Sequence, residues 1–254
     1  MLRVTSARRR AKSSTSAERI GWDEIFDAGK SGWDSIVPFL GVAQLLARES
    51  SVVVDVGCGR GSIADEHAGR VFHDLRGPGR TVIGIDLDPV GESNPIIDEF
   101  RPIDASLRWP LEDASVDLAV SDFTLEHVDD PAAFVAELSR TLRPGGAFVG
   151  RTISRYSPLS VTARAVPNDK HARWLKVLQP RRQERDVFPT RYRMNSDRDL
   201  RSLFGAGFEL NVLHRVGLEQ YLLRWPRLAR VVMALEPRLP RAAQMTLVVF
   251  ARKR

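Results

Sequence analysis

Short apolar runs and longer amphipathic stretches alternate along this chain. Val52–Val54, Thr81–Ile85, Arg101–Ile103, Asp117–Val120, Ala147–Thr152, Phe208–Val216 and Thr246–Ala251 are brief and rich in β-branched or apolar residues, so they read as strands. Ala17–Phe26, Ser35–Ala47, Ser62–Leu75, Pro131–Leu142 and Ser196–Phe204 carry apolar residues at helical spacing. Asn195 or Ser196 is placed to cap the last of these helices, and Gly205-Ala206-Gly207 to end it. Leu142-Arg143-Pro144-Gly145-Gly146 reads as a helix stop and turn ahead of the fifth strand. This alternation predicts an α/β fold with a doubly wound parallel sheet and a ligand site at the strands' C-terminal edge.

The chemistry concentrates after the first strand. Val52–Gly61 reads V-V-V-D-V-G-C-G-R-G: a buried-strand run closed by Asp55, then Gly57, Gly59 and Gly61 at every second position. Closely spaced glycines permit a sharp turn and close approach of a ligand to the backbone, and a helix beginning at Ser62 would aim free N–H groups at that ligand. The spacing is G-x-G-x-G rather than the G-x-G-x-x-G of dinucleotide sites, because Ser62 holds the sixth position. Asp86, ending the second strand in Asp86-Leu87-Asp88-Pro89, is placed to accept hydrogen bonds from ribose hydroxyls. Gly29-Lys30-Ser31 is not a P-loop, since Glu24 stands where that motif needs glycine.

The glycine turn resembles motif I of the class I S-adenosylmethionine (SAM)-dependent methyltransferases. The resemblance continues through Asp104-Ala105, Trp109–Asp117, the phrase Leu125-Glu126-His127-Val128 after the fourth strand, and Leu142-Arg143-Pro144-Gly145-Gly146. It implies a Rossmann-like, mostly parallel sheet of seven strands, the seventh antiparallel, with helical insertions, and SAM as cofactor with no metal. By resemblance the motif I residues Asp55, Gly57, Cys58, Gly59 and Gly61 hold the methionine part of SAM. Asp86 holds its ribose, Leu87 packs on the adenine, Asp104 and Ala105 read the adenine, and Ser121 approaches the amino-acid moiety through its backbone. His127 is the candidate general base, with His171 second.

Two segments exceed the minimal family pattern, 153–194 and 217–244, and these are expected to hold the substrate. Tyr156, His171, Arg191 and Tyr192 are the candidate substrate contacts in the first. The second carries an apolar stripe between Leu218 and Leu235, interrupted by Pro226 and interleaved with Arg224, Arg227 and Arg230. Such a stripe either packs on its own domain or rests on an acidic membrane. Residues 17–254 are expected to form one methyltransferase domain, with helices over 17–50 and the SAM-binding core over 51–152. Residues 1–16 are expected to be a disordered basic tail.

Charge sharpens this division. The net charge of +6 combines +5 over residues 1–20 (6 Lys+Arg against 1 Asp+Glu), −13 over 21–150 (10 against 23) and +14 over 151–254 (22 against 8). A basic last third favours an anionic acceptor or an acidic surface. The single Cys58 excludes an internal disulfide, and no apolar run approaches the ~20 residues of a membrane span. With no secretory signal at the N-terminus, a cytoplasmic protein is expected, with peripheral contact at the inner face of the membrane through 218–235.

The function these features predict is methyl transfer from SAM, by O-methylation, to a small-molecule, glycan or lipid acceptor. A nicotinamide-dependent oxidoreductase would share the Asp86 logic but not the glycine spacing. A non-catalytic SAM-fold subunit usually lacks the glycines or the ribose carboxylate, and both are intact here. No nucleic-acid acceptor is expected, because Ser121-Asp122-Phe123-Thr124 stands where an N/D-P-P-Y/F tetrad would be.

Overall fold

The computed structural model describes residues 36–61, 73–165, 189–217 and 225–254. The expected tail, the helix Ala17–Phe26, most of the helix after the glycine turn, His171 and the start of the apolar stripe (218–224) lie outside these residues.

Seven strands form one sheet: β1 (Val52–Val56), β2 (Thr81–Asp86), β3 (Glu99–Pro102), β4 (Val116–Asp122), β5 (Leu142–Ile153), β6 (Phe208–Arg215) and β7 (Thr246–Lys253). Their spatial order is β3-β2-β1-β4-β5-β7-β6. β7 runs antiparallel to both β5 and β6, and every other pairing is parallel. The C-terminal ends of β1, β2, β4, β5 and β6 therefore share one edge of the sheet.

Successive residues of each strand point to opposite faces, so an all-apolar run fills two cores at once. Val54, Ala119, Phe148, Leu247 and Val249 face one core, while Val53, Leu118, Val120, Val149, Val248 and Phe250 face the other. The first core is closed by α2 (Pro131–Thr141) and α4 (Asp197–Phe204), through Phe134, Leu138, Leu200 and Phe204. Trp109, Phe134, Phe148, Phe204 and Phe208 cross it as a continuous chain of ring contacts, with centroids 5.2–6.3 Å apart. The second core is closed by α1 (Ile36–Ala47), through Phe39, Leu40 and Ala43. Polar caps fix where the helices begin: Asp130 accepts from the Ala132 and Ala133 N–H groups, and the Ser196 hydroxyl accepts from Asp199 N.

Several boundaries differ from the sequence reading. Leu142–Gly146 does not precede β5 but belongs to it: Leu142 already pairs with Val116, and the ladder slips between there and Leu118↔Ala147. The slip absorbs Arg143-Pro144-Gly145 as an irregularity inside the strand, with Gly145 at φ +77°. Asp74 and Leu75, expected within the helix after the glycine turn, are non-helical. β3 begins two residues earlier than expected, at Glu99, where it pairs with Ile83. Two further helices lie in the insertions, α3 (Pro158–Ala165) and α5 (Pro226–Leu235). Pro226 starts α5 rather than interrupting a helix, since the first position of a helix needs no N–H.

Candidate active site

The site is assembled where β1, β2 and β4 end. Past Val56 the chain turns, and both Gly57 N and Cys58 N donate to the Ile85 carbonyl of β2. Gly57 adopts φ +74°, and a Cβ there would lie 2.3 Å from Thr124 Oγ1, so a side chain is excluded twice over. Gly59 also has positive φ (+48°), but a Cβ there would meet nothing within 4 Å. The turn is thus braced from beneath and leaves space above its middle glycine.

Asp86 supports the same turn. One carboxylate oxygen accepts from Gly59 N (2.8 Å) and the other from Asp88 N (2.9 Å). Each oxygen keeps further lone-pair capacity toward a ligand hydroxyl. Leu87 beside it is 61% exposed and offers an apolar surface to a flat ring. Open space at Gly59, a carboxylate at the end of β2 and an exposed apolar side chain next to it fit a nucleoside cofactor. Asp104 and Ala105 are exposed, and the Asp104 carboxylate accepts from the Ser106 N–H and hydroxyl, which holds its pKa below the ordinary value.

The side chains of three expected residues are buried or half-buried within the protein. The Ser121 hydroxyl is fully buried and donates to the Val56 carbonyl (3.0 Å), tying β4 to β1 just before the turn. The Cys58 thiol is buried, and its pKa is pushed up by that burial and by the charges of Asp55 and Asp86. Asp55 is half-buried within β1, and its pKa is pushed up to about 7 by burial, with the negative charges of Asp122 and Asp86 adding to it.

Sequence reasoning missed the groups that stiffen this edge. Asn94 is buried and donates through Nδ2 to the Cys58 carbonyl (2.9 Å), while its Oδ1 accepts from Ile96 N. Arg151 of β5 is 3% exposed and holds Asp122 of β4 with two bonds of 2.7 Å. Its guanidinium also lies over the Phe123 ring (4.5 Å) and the Phe39 ring of α1 (5.3 Å). Burial is the largest single influence and works to raise the Asp122 pKa, but the Arg151 charge and hydrogen bonds together with His73 (3.7 Å) outweigh it, and the carboxyl sits at about 2. The one available signal was an arginine inside the apolar run A-F-V-G-R-T, because a buried cation demands a carboxylate on the next strand. Register supplies it, since Asp122 and Arg151 are Cα partners. Phe123 follows at φ +54°, an unusual backbone for an aromatic residue and one concentrated at functional sites.

His127 lies in the short turn of helix Leu125–His127 after β4, and its Nδ1 is 3.0 Å from the Pro189 carbonyl. The segment from Pro189 is fastened to this turn: Arg191 N and Tyr192 N both donate to the Glu126 carbonyl, and Arg191 pairs with Asp129 at 2.7 Å. The fold therefore brings His127, Arg191 and Tyr192 together. Tyr192 is buried beneath the Arg164 guanidinium, whereas Tyr156 is 50% exposed beside Arg155. Glu126 itself is buried and accepts from the Thr152 hydroxyl (2.6 Å), which in turn accepts from Asn195. This chain of bonds links the ends of β4 and β5 to the cap of α4.

Known proteins are similar to this chain. The family model described as a methyltransferase domain matches residues 54–150. A probable S-adenosylmethionine-dependent methyltransferase of Mycolicibacterium smegmatis is 39% identical over 113 residues, covering 42% of this chain and 40% of that protein. A ubiquinone biosynthesis O-methyltransferase of Paracidovorax citrulli is 34% identical over 125 residues, covering 45% and 48%. The match thus spans less than half the length of each. Among solved structures, an S-adenosylmethionine-dependent methyltransferase from Mesorhizobium loti superposes with a TM-score of 0.53 at 23% identity, covering 87% of this chain and all of that one. Its likeness covers most of the chain, whereas the family model covers residues 54–150. With the glycine turn, Asp86 and the L-E-H-V and L-R-P-G-G phrases all inside the matched stretch, residues 54–150 match a methyltransferase domain, and the resemblance to the SAM-dependent methyltransferases lies there.

Proposed function

We propose that this chain transfers the methyl group of SAM to an oxygen atom of a small-molecule, glycan or lipid acceptor. The observation that carries this reading is the anchoring of His127. A carbonyl oxygen only accepts, so the 3.0 Å contact with Pro189 requires the proton on Nδ1. In the neutral ring the lone pair then lies on Nε2, the arrangement a general base needs. His127 stands five residues beyond β4, at the sheet edge that holds the glycine turn and Asp86.

When bound, SAM supplies an already electrophilic methyl group. The work left to the protein is to hold the acceptor in line with it, exclude water and take up the acceptor's proton. In this reading the glycine turn and Asp86 hold the cofactor, His127 takes the proton, and Tyr156, Arg191 and Tyr192 line the acceptor side. O-methylation is also the reaction named for the ubiquinone biosynthesis and malonyl-[acyl-carrier protein] relatives.

Labelled methyl transfer from SAM into aqueous and lipid extracts, followed by isolation of the labelled product, tests the proposal. His127→Ala should lower turnover by about 10²–10⁴-fold while SAM affinity stays within twofold. Normal turnover in that variant would return His127 to a structural role. A product labelled on nitrogen or carbon would overturn O-methylation.

A further inference from the structure

The connection from β6 to β7 departs from the functional edge of the sheet. β6 runs parallel to β5, so its C-terminal end lies at the edge occupied by the glycine turn, Asp86 and His127. From there the chain passes through α5 and returns into β7. Glu236, just after α5, is buried and pins this excursion at both ends. One carboxylate oxygen accepts from Gly217 N after β6 (3.1 Å), and the other from Met245 N before β7 (2.9 Å).

The outward surface of α5 is apolar. Leu228, Val231 and Leu235 are 48%, 52% and 56% exposed, and their i, i+3, i+7 spacing places them on one face. Trp225, 39% exposed, extends that face at the start of the helix. The surroundings carry one sign of charge. Arg227, Arg230, Arg238 and Arg241 are all exposed, and the only acidic residue between Trp225 and Ala243 is the buried Glu236. Of the two readings of this stripe, packing on its own domain does not account for these four side chains among the described residues.

We propose that α5 seats this chain on an acidic phospholipid surface, apolar face in the interface and arginines against the headgroups, so that the active-site edge faces the membrane. An in-plane helix binds through apolar contact together with attraction to anionic lipid, and both parts are present here. A second copy of the chain is a weaker fit, because two such faces would bring eight arginines together. The inference rests on the methyltransferase reading and deepens it: the acceptor is a lipophilic molecule dissolved in the bilayer.

Cosedimentation of the full chain with phosphatidylcholine vesicles, with and without 30 mol% phosphatidylglycerol, tests this, with SAM binding measured by calorimetry on the same samples. Binding is expected to the anionic vesicles alone and to weaken as salt rises. Arg227→Gln/Arg230→Gln should reduce it by about 25-fold, roughly fivefold per arginine. Leu228→Gln/Val231→Gln/Leu235→Gln should abolish it, with SAM affinity and thermal midpoint unchanged in both variants because every altered position is exposed. A wild-type chain that ignores anionic vesicles at low salt would overturn the proposal and leave the face to a second copy or another protein. So would an apolar variant that binds as well as wild type. Loss of SAM binding in the wild-type chain, by contrast, would overturn the methyltransferase reading without touching vesicle binding.

Discussion

Replacing Arg151 by Met should destabilise the fold by about 3–5 kcal/mol at pH 7, the usual cost of stripping one partner from a buried ion pair. The substitution keeps most of the side-chain volume but removes both 2.7 Å bonds to Asp122 and the cation held between Phe39 and Phe123. The size can be approached from the carboxylate side. Asp122 is lowered from 3.8 to about 2, and a displacement of that size corresponds to about 2.4 kcal/mol. That figure is what remains after burial has worked the other way, so losing Arg151 costs more than the net shift. The sign with pH follows. Because the folded pKa is depressed, the contribution is fully present above pH ~4 and disappears as pH falls toward 2. In Arg151→Met the carboxyl is left partly buried beside Asp55, both burial and that charge then act to raise its pKa, and stability should instead fall as pH rises. Urea denaturation of the wild type, Arg151→Met, Asp122→Asn and the double variant between pH 3 and 8 completes a thermodynamic cycle. The double variant should recover much of the loss, since no uncompensated charge remains. Arg151→Met within 1 kcal/mol of wild type, or a double variant no better than the single, would refute the argument.

Three further outcomes are expected. Gly57→Ala places a Cβ 2.3 Å from Thr124 Oγ1 at φ +74°, and should cost at least tenfold in SAM affinity by calorimetry, with a lower thermal midpoint. Asp86→Ala removes the acceptor for Gly59 N and Asp88 N as well as any ligand hydroxyl. It should weaken SAM by about ten- to a hundredfold, the range for hydrogen bonds to a charged group, and equal affinity in variant and wild type would exclude the ribose role. Asp55, pushed up to about 7, keeps a proton in the folded chain that the unfolded chain releases near pH 4, so stability should decline between those values by up to about 4 kcal/mol. Asp55→Asn should remove that decline in urea melts at pH 5 and 7.5.

The sheet was legible because its signal is local. A run such as Val52–Val54, apolar on both faces, has few places to go except the middle of a covered sheet, and glycines at every second position after it mark the turn. The turn and the carboxylate proposed to hold the cofactor were readable in the same stretch and at Asp86. What stayed hidden depends on which strands become neighbours. Asp122 and Arg151 are 29 residues apart and meet only through the register of β4 on β5. Asn94 braces a turn 36 residues upstream, and nothing beside it announces the role. Local signals also misled where a residue has two uses. Pro144 and Gly145 mark turns in general but here form a slip inside β5, and Pro226 breaks helices but here begins one.

The position of β7 constrains how this molecule can be built. It follows all the other strands in sequence, yet it lies between β5 and β6 and supplies the full ladder to both. As a chain emerges from the ribosome, β1 to β5 can associate through their parallel crossovers, but β5 then presents a bare apolar margin and β6 has nothing to join. Only when Thr246–Lys253 is released can the two halves be zipped together, around side chains as apolar as Leu247 and Phe250. The vulnerable period of synthesis is therefore the interval before this strand emerges, when an unpaired edge is available for association with other nascent chains. A chain cut before Thr246 should be captured by chaperones or aggregate, even though every residue of the glycine turn and of Asp86's surroundings has already been made.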